Sequence, residues 1–186
     1  MKATFSWSKW SLFACILLLV SAGSLFYPRW QKTHGEAQLS WDAGGYYWYL
    51  PSVFIYKDLK HQSFKDSVLR QYHMTPPEDF QYGYLHEASG NYVLRYTFGM
   101  ALMEAPFFFI AHSAAASLGY PADGFSVPYQ FMIYLGGILM AVIGLIYLRK
   151  LLLYYFKDST VAITLLLLVF GTNYLNYAGI DAGNDP

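Results

Sequence analysis

Charged residues are scarce in this chain: Asp, Glu, Lys and Arg together make up 13% of its 186 residues. Acidic and basic residues balance to a formal net charge of zero, and the sequence carries no block of lysine or arginine. Proteins that bind nucleic acid usually show such a basic block or stripe. We therefore exclude nucleic acid as a partner.

Cysteine is nearly absent too. The single Cys15 lies in an apolar run, which excludes an internal disulfide and a cysteine-based metal site. The histidines His34, His61, His73 and His86 are scattered, without the i, i+4 pairing of a helical zinc site. Walker, G-x-G-x-x-G and G-x-S-x-G motifs are also missing, so nucleotide hydrolysis and serine hydrolase chemistry have no support. We predict no metal site on these histidines.

Hydrophobic residues, by contrast, make up 55% of the chain and aromatic residues 20%. These fractions are typical of membrane proteins rather than of soluble domains. Three uncharged stretches approach the roughly 20 apolar residues that a helix needs to cross a bilayer. We predict transmembrane helices over 10–27, 129–148 and 160–178. The first could instead be a secretory signal, but its apolar run exceeds the usual ~7 to 15 residues of a signal core.

A fourth apolar stretch, 98–119, is interrupted by Glu104, Pro106 and His112. If it crossed the membrane, the basic residues after the second span would emerge outside, whereas cytoplasmic loops usually hold lysine and arginine. We therefore predict an embedded helix that does not cross, within a long exoplasmic loop over 28–127. The N-terminus is then cytoplasmic, and the chain is a single all-α polytopic membrane domain with three spans and further surface or embedded helices.

One acid in this loop stands in an unusual setting. The stretch "SWDAGGYYWYLPSVF" sets Asp42 beside two glycines and four aromatic residues. A carboxylate at the membrane interface can take a proton from a substrate hydroxyl or hold a divalent cation against a phosphate. The alternative is a helix N-cap, whose side-chain oxygen accepts the N–H of Gly44 or Gly45. Two glycines are poor first-turn residues, but they let a backbone approach a ligand closely.

The aromatic residues of this stretch have two interpretations. They either line a groove for a sugar or prenyl group, or they form a belt at the rim of the bilayer. Tyr46, Leu50, Val53 and Phe54 recur near helical spacing, which predicts a short amphipathic helix on the membrane surface. The polar segment 57–91 that follows is expected to be solvated.

Other ionisable residues are further candidates. Arg95 precedes the embedded helix, where it either grips a phosphate or anchors the chain at the interface. Glu104 and His112 lie inside an apolar helix, where ionisable groups usually face a cavity or a partner. Asp181 and Asp185 follow the third span, on the same side of the membrane as the first loop in this topology. They are either a second acid or solvated residues.

The order of these features resembles the multi-spanning glycosyltransferases of the GT-C superfamily, which include protein O-mannosyltransferases and the aminoarabinose transferases of bacterial envelopes. The similar parts are the acid in "WDAGGYYWYLP", the helix "RYTFGMALMEAPFFFIAHSAAASLGY", the span "VPYQFMIYLGGILMAVIGLIYLRKLL" and the span ending in "TNYLNYAG". Here "RYTFG" replaces the proline pair that the family carries before the embedded helix. The family also has many more spans, so we expect this chain to be the N-terminal part of a longer protein.

The resemblance implies transfer of a sugar from a polyprenyl-phosphate donor to an acceptor on the exoplasmic face of a bacterial inner membrane. Asp42 would be the catalytic base. The substrate-binding residues implied are Arg95, Tyr46, Tyr47, Asp181 and Asp185. A divalent cation or an arginine would neutralise the departing phosphate, and no resident cofactor is assigned.

Two other classes of protein fit the same sequence. One is a non-catalytic scaffold or assembly subunit whose exoplasmic loop binds a partner. The other is a transporter in which Glu104 and His112 relay protons along a broken helix. Substitution of Asp42 is silent in both of these hypotheses, whereas substitution of Glu104 matters only for the transporter.

Overall fold

The computed structural model describes residues 6–26, 39–72, 74 and 80–180, and this part of the chain is mostly helical. Asp181, Asp185, His34 and His73 lie outside the described residues. The described residues form two compact units. We call them the helical unit, from Met1–Tyr27 and Gly137–Ala182, and the aromatic unit, from Pro28–Gly136.

The helical unit is built from three helices and a short π-helical turn. Helix α1 spans Trp7–Phe26, α6 spans Val127–Leu152 and contributes its C-terminal part, and α7 spans Asp158–Gly171, with the turn at Asn176–Ile180. Its core is aliphatic apart from one thiol. The fully buried members are Cys15, Leu19, Leu145, Val161, Leu165 and Val169.

A polar cluster closes one end of this unit. The Asp158 carboxylate accepts hydrogen bonds from the hydroxyls of Ser6 (2.9 Å) and Ser8 (2.5 Å) and from the Ser8 backbone N–H (3.3 Å). The Arg149 guanidinium donates to the Ser8 hydroxyl at 2.8 Å. Because the first N–H groups of a helix have no partner inside the helix, Asp158 caps α1 from a distant part of the chain.

Three helices in the described residues are long and apolar enough to cross a membrane: Trp7–Ser24, Phe98–Leu118 and Val127–Leu152. The first and third of these confirm helices at the predicted positions 10–27 and 129–148, and their crossing of the membrane stays a prediction. The second contains α5 (Phe98–Ala115), which continues as a 3-10 turn to Leu118. The helix over 98–119 is therefore confirmed, and whether it crosses the membrane stays a prediction.

The prediction of one continuous helix over 160–178 is wrong. Helix α7 has 14 residues and stops at Gly171, after which Thr172 is extended. The Thr172 hydroxyl donates to the Leu168 carbonyl (2.5 Å) and accepts the Tyr174 N–H (3.1 Å). A threonine side chain that bonds nearby backbone groups competes with the helical pattern, and the glycine before it is a poor helix former.

The aromatic unit begins with three short helices: α2 (Trp41–Tyr47), α3 (Tyr49–Phe54) and α4 (Lys65–Gln71). The predicted helix around Tyr46 to Phe54 thus exists as the pair α2 and α3. An antiparallel hairpin of β1 (Gly83–His86) and β2 (Asn91–Leu94) follows. The all-α prediction is wrong at this point, because the polar segment that we expected to be a solvated loop contains a pair of strands.

Trp48 is the centre of the aromatic core. Its side chain is fully buried and stacks on Phe64, with ring centroids 5.4 Å apart and planes at 14°. Its indole N–H donates to Gln62 Oε1 at 2.7 Å. The ring centroids of three other residues lie 5.1 to 5.2 Å from that of Trp48: Phe80, Tyr82 and Phe125. Of the aromatic residues near Asp42, Tyr47 and Trp48 therefore pack inside the protein, whereas Trp41 is exposed.

Candidate active site

Asp42 lies in the first turn of α2 and is half-buried. The N-cap position belongs to Ser40, whose backbone is extended (φ −120°, ψ 170°). The interpretation of Asp42 as the N-cap is therefore wrong. A negative charge in the first turn is favourable for the helix dipole, but this helix has only seven residues and the effect is small.

The partner of Asp42 is a tyrosine. The Tyr96 hydroxyl donates a hydrogen bond to Asp42 Oδ1. Burial, and then the hydrogen bond to Asp42 and its charge, raise the pKa of Tyr96 to about 12, so this hydroxyl keeps its proton at neutral pH. Among the described residues, nothing hydrogen-bonds to Oδ2 of Asp42. One carboxylate oxygen is thus oriented, and the other has no hydrogen-bond partner in the described part of the chain.

The two glycines after Asp42 make room for tyrosine rings. A Cβ atom on Gly45 would overlap the ring of Tyr96. A Cβ atom on Gly44 would lie 2.7 Å from the Tyr82 hydroxyl oxygen and 2.9 Å from the Leu39 carbonyl oxygen. We expected these glycines to let the backbone approach a ligand. In the structure the close approach is to other residues of the same unit, the side chains of Tyr82 and Tyr96 and the backbone of Leu39.

The aromatic run divides into buried and site-facing members. Tyr47 is fully buried and its hydroxyl donates to the Gly124 carbonyl, so it presents no surface to a substrate or to lipid. Tyr46 is half-buried and meets the Tyr96 ring edge-on, with centroids 4.9 Å apart. The Tyr49 hydroxyl donates to the Tyr96 carbonyl at 2.6 Å. Tyr46 and Tyr49 thus position Tyr96, which in turn orients Asp42.

Arg95 is exposed and immediately precedes Tyr96 in the chain. Its backbone N–H donates to the Tyr82 carbonyl at 2.9 Å, which extends the hairpin pairing by one bond. Arg95 is one of the residues that line an open cleft of about 530 Å³ formed by the start of α4 and the hairpin. Asp42 is not part of the lining of this cleft. The connection between Arg95 and Asp42 is therefore indirect: Arg95 is the chain neighbour of Tyr96, whose hydroxyl bonds Asp42.

Glu104 and His112 both lie on α5, but their side chains have different surroundings. His112 Nδ1 lies 2.5 Å from the Tyr129 hydroxyl, and its ring stacks on Phe108 with planes at 5°. This histidine makes a structural polar contact. Glu104 is half-buried, and its Oε2 is buried without a hydrogen-bond partner in the described part of the chain.

The structure also shows an acid that the sequence analysis missed. Asp123 Oδ1 accepts the backbone N–H groups of Phe125 (3.0 Å) and Ser126 (3.1 Å), and its other oxygen accepts the Tyr72 hydroxyl. Burial and then this bond raise the pKa of Tyr72 well above its usual range. An aspartate that bonds the backbone two and three residues ahead, just before a helix, is a recognisable signal in "DGFSVP". Asp123 thus fixes the segment that contains Gly124, whose carbonyl accepts the hydrogen bond from the Tyr47 hydroxyl.

The described histidines outside α5 are surface residues. His61 and His86 are exposed, and His86 Nδ1 lies 2.9 Å from the Ser89 hydroxyl. Within residues 6–26, 39–72, 74 and 80–180, no three His, Cys, Asp or Glu side chains come together as a metal site would require.

Comparisons of the chain with known protein families, with curated proteins and with solved structures found no match. The case for a function therefore rests on the residues and contacts described above.

Proposed function

We propose that this chain is an integral membrane protein and the N-terminal part of a glycosyltransferase. It would move a sugar from a polyprenyl-phosphate donor to an acceptor on the exoplasmic face, in a bacterial inner membrane with the N-terminus in the cytoplasm. The observation that carries the proposal is the state of Asp42: a half-buried carboxylate whose Oδ1 accepts the Tyr96 hydroxyl and whose Oδ2 has no hydrogen-bond partner among the described residues. Apolar helices of spanning length in the same chain fit a lipid-linked donor.

The reaction needs a base and a way to stabilise the leaving group. Asp42 Oδ2 accepts the proton of the acceptor hydroxyl as the acceptor oxygen bonds to the anomeric carbon of the sugar. The bond from that carbon to the phosphate oxygen breaks on the opposite face, and its electron pair leaves with the phosphate. The configuration at the anomeric carbon is inverted. Tyr96 retains its proton throughout, because its pKa is about 12.

The charge of the departing polyprenyl phosphate needs a positive partner. Arg95, next to Tyr96 in the chain, is the candidate from this sequence, and a divalent cation is the alternative. Asp181 and Asp185 remain candidates for a second acid. Tyr46 remains a candidate substrate-binding residue because its ring contacts that of Tyr96. Tyr47 is no longer a candidate, because its side chain is fully buried in the core.

The test is glycan transfer by the full-length gene product in membranes, comparing wild type with Asp42→Asn. Loss of a general base typically lowers the rate by about 10²- to 10⁴-fold, and we expect a loss in this range. Glu87→Gln is the matched control, because Glu87 is exposed in the hairpin turn and its substitution should leave transfer unchanged. Normal transfer by an Asp42→Asn protein that is expressed and inserted would refute the assignment.

The transporter hypothesis gains one observation, the buried Glu104 Oε2 without a described partner. It predicts that Glu104→Gln abolishes function while Asp42→Asn is tolerated, which is the reverse of the transferase prediction. A scaffold subunit would tolerate both substitutions. The same pair of variants therefore separates all three hypotheses.

A further inference from the structure

One end of the helical unit brings three helix termini together. Asp158, the first residue of α7, accepts hydrogen bonds from Ser6 and Ser8, which flank the first residue of α1. Arg149, in the last turn of α6, donates to the Ser8 hydroxyl at 2.8 Å. The start of α1, the end of α6 and the start of α7 therefore lie at the same end of the unit.

This end holds every charged side chain among the described residues of the helical unit. Arg149 and Asp158 both bond the Ser8 hydroxyl, so their charges largely offset each other. The other charged residues are lysines, which are exposed and whose ammonium groups have no ion-pair or hydrogen-bond partner in the described part of the chain: Lys9, Lys150 and Lys157. The uncompensated charge is positive and favours an anionic ligand.

Exposed aromatic rings lie at the same end. In the turn after α6, Tyr154 is 84% exposed and Tyr155 is 75% exposed, and Phe156 next to them is exposed as well. Trp7 and Trp10, in the first turn of α1, are also more than half exposed. An exposed apolar patch marks an interaction site, and tryptophan and tyrosine are enriched where a membrane protein meets lipid headgroups. The rings thus favour a lipid surface over bulk water.

Hydrogen bonds and packing define the turn that carries these rings. The Leu153 N–H donates to the Arg149 carbonyl at 3.1 Å. The Leu152 carbonyl accepts the N–H groups of Tyr155 (3.1 Å) and Phe156 (2.9 Å). The side chains of Leu152 and Leu153 pack against the aliphatic core of the unit. The exposure of the rings is therefore a property of the fold, because the apolar side of the turn is anchored.

Lys150 is the cation with the most clearly placed ammonium group. Its Nζ lies 5.1 Å from the centre of the Tyr147 ring, within the range of a cation–π contact, and Tyr147 is itself exposed. Lys150, Leu153 and Tyr154 also line an open depression of about 230 Å³, so Lys150 and Tyr154 share one place on the surface. A lysine beside tyrosine rings pairs a charge for a headgroup with apolar faces for the region below it.

We infer that this end of the helical unit binds anionic phospholipids, with the lysines against the charged headgroup and the aromatic rings at the level of the glycerol. A soluble phosphate would bind the lysines and leave the rings in water, so the charge and the rings together select a lipid. The inference goes beyond the proposed transferase function. It uses the membrane location of the helices, and it needs neither sugar transfer nor Asp42.

The experiment is native mass spectrometry of the purified full chain in detergent micelles, titrated with phosphatidylglycerol or with phosphatidylcholine of the same acyl chains. We expect phosphatidylglycerol to bind at least about tenfold more tightly, because each lysine near an anionic lipid strengthens binding about fivefold. Raising the salt concentration should reduce this ratio, since exposed charges are screened. Glycerol 3-phosphate should not displace the lipid, because it has no acyl part for the rings to contact.

Lys150→Gln and Lys157→Gln should each weaken phosphatidylglycerol binding about fivefold and leave phosphatidylcholine binding unchanged. Lys150→Arg should retain the preference, because it keeps the charge. Lys60→Gln is the matched control, since Lys60 is an exposed lysine of the aromatic unit. Tyr154→Ala should weaken the binding of both lipids by a similar factor, because the ring does not distinguish their headgroups.

Three results would overturn the inference: equal binding of the two lipids, equal losses for Lys150→Gln and Lys60→Gln, or displacement of the lipid by glycerol 3-phosphate. The first would favour an acidic protein partner for this end, and the last a site for soluble phosphates. Asp42→Asn should bind both lipids as wild type does. Failure of the lipid inference therefore leaves the transferase assignment intact, and failure of that assignment leaves the lipid site intact.

Discussion

The two units are stabilised by different kinds of core. In the helical unit, aliphatic side chains such as Leu145 and Leu165 pack between helices, and a polar cluster closes one end. In the aromatic unit, rings meet at defined angles, and the polar atoms of two buried rings have partners inside the core: Trp48 bonds Gln62, and Tyr47 bonds Gly124. The first kind of core depends on summed apolar burial, whereas the second depends on particular pairs.

This difference predicts different tolerance to substitution. Aliphatic cores accept changes of shape when volume is kept, because dispersion contacts are not directional. A ring whose polar atom is paired inside the core cannot be exchanged so freely, since its loss also leaves the partner unsatisfied. The candidate site belongs to the second kind, because the orientation of Asp42 depends on Tyr96.

The largest effect is expected for Trp48→Ala in the aromatic unit. Removing a buried tryptophan costs about 3 to 5 kcal/mol, and the Gln62 amide oxygen loses its indole donor as well. Leu165→Ala in the helical unit is the matched comparison, and we expect a smaller loss, since a leucine side chain is smaller than that of tryptophan and its removal leaves no polar partner unsatisfied. The measurement is the free energy of unfolding in detergent micelles. An equal or larger loss for Leu165→Ala would break the comparison.

An intermediate effect is expected for Gly45→Ala. The new methyl group would overlap the Tyr96 ring, and overpacking of this kind costs about 1 to 3 kcal/mol. Displacement of Tyr96 from Asp42 should also lower the pKa of Tyr96 from about 12 toward its ordinary value, as followed by ultraviolet titration of the phenol.

Gly99→Ala is the control for this substitution. No atom lies within 4 Å of the position that its Cβ would take, and alanine favours the helix. We expect unchanged or slightly higher stability. If Gly45→Ala behaves in the same way, the close packing of Tyr96 on α2 is not a requirement of the fold.

The smallest effect concerns pH. The backbone N–H and hydroxyl of Ser63, together with the His61 N–H, lower the pKa of Asp58 from 3.8 to about 2. Because the folded state holds the ionised form more strongly, this stabilisation is present above the unfolded value near 3.8 and is lost as the pH falls toward 2. Asp58→Asn should therefore be less stable than wild type at pH 6, with the gap narrowing between pH 4 and 2. A gap independent of pH would contradict the ionic origin of the effect.

Hydropathy along the sequence was sufficient to predict the long helices α1, α5 and α6, because each is a long and mostly apolar stretch. It was insufficient for the hairpin, whose strands have four residues each and whose turn contains Gly90 at φ +66° rather than a two-residue turn signal. It also missed the end of α7, where a single threonine side chain diverts the backbone.

The candidate site, too, could be predicted from the sequence only in part. Asp42 was recognisable as an acid in an unusual setting, but its partner Tyr96 lies 54 positions away. The chain contains 18 tyrosines, and nothing in the local sequence distinguishes the one that orients the carboxylate. The aromatic run beside Asp42 pointed to the bilayer rim, whereas the fold uses Tyr47 and Trp48 as core residues.

The bond between Ser8 and Asp158 has a consequence for synthesis of the protein. The two residues are 150 positions apart in the chain. At roughly 5 to 20 residues per second, a ribosome adds the later one about 8 to 30 seconds after the earlier one. During that interval the first turn of α1 lacks its cap, and its N–H groups need other hydrogen-bond partners such as water. The end of the chain made first is therefore among the last to reach its final hydrogen bonding.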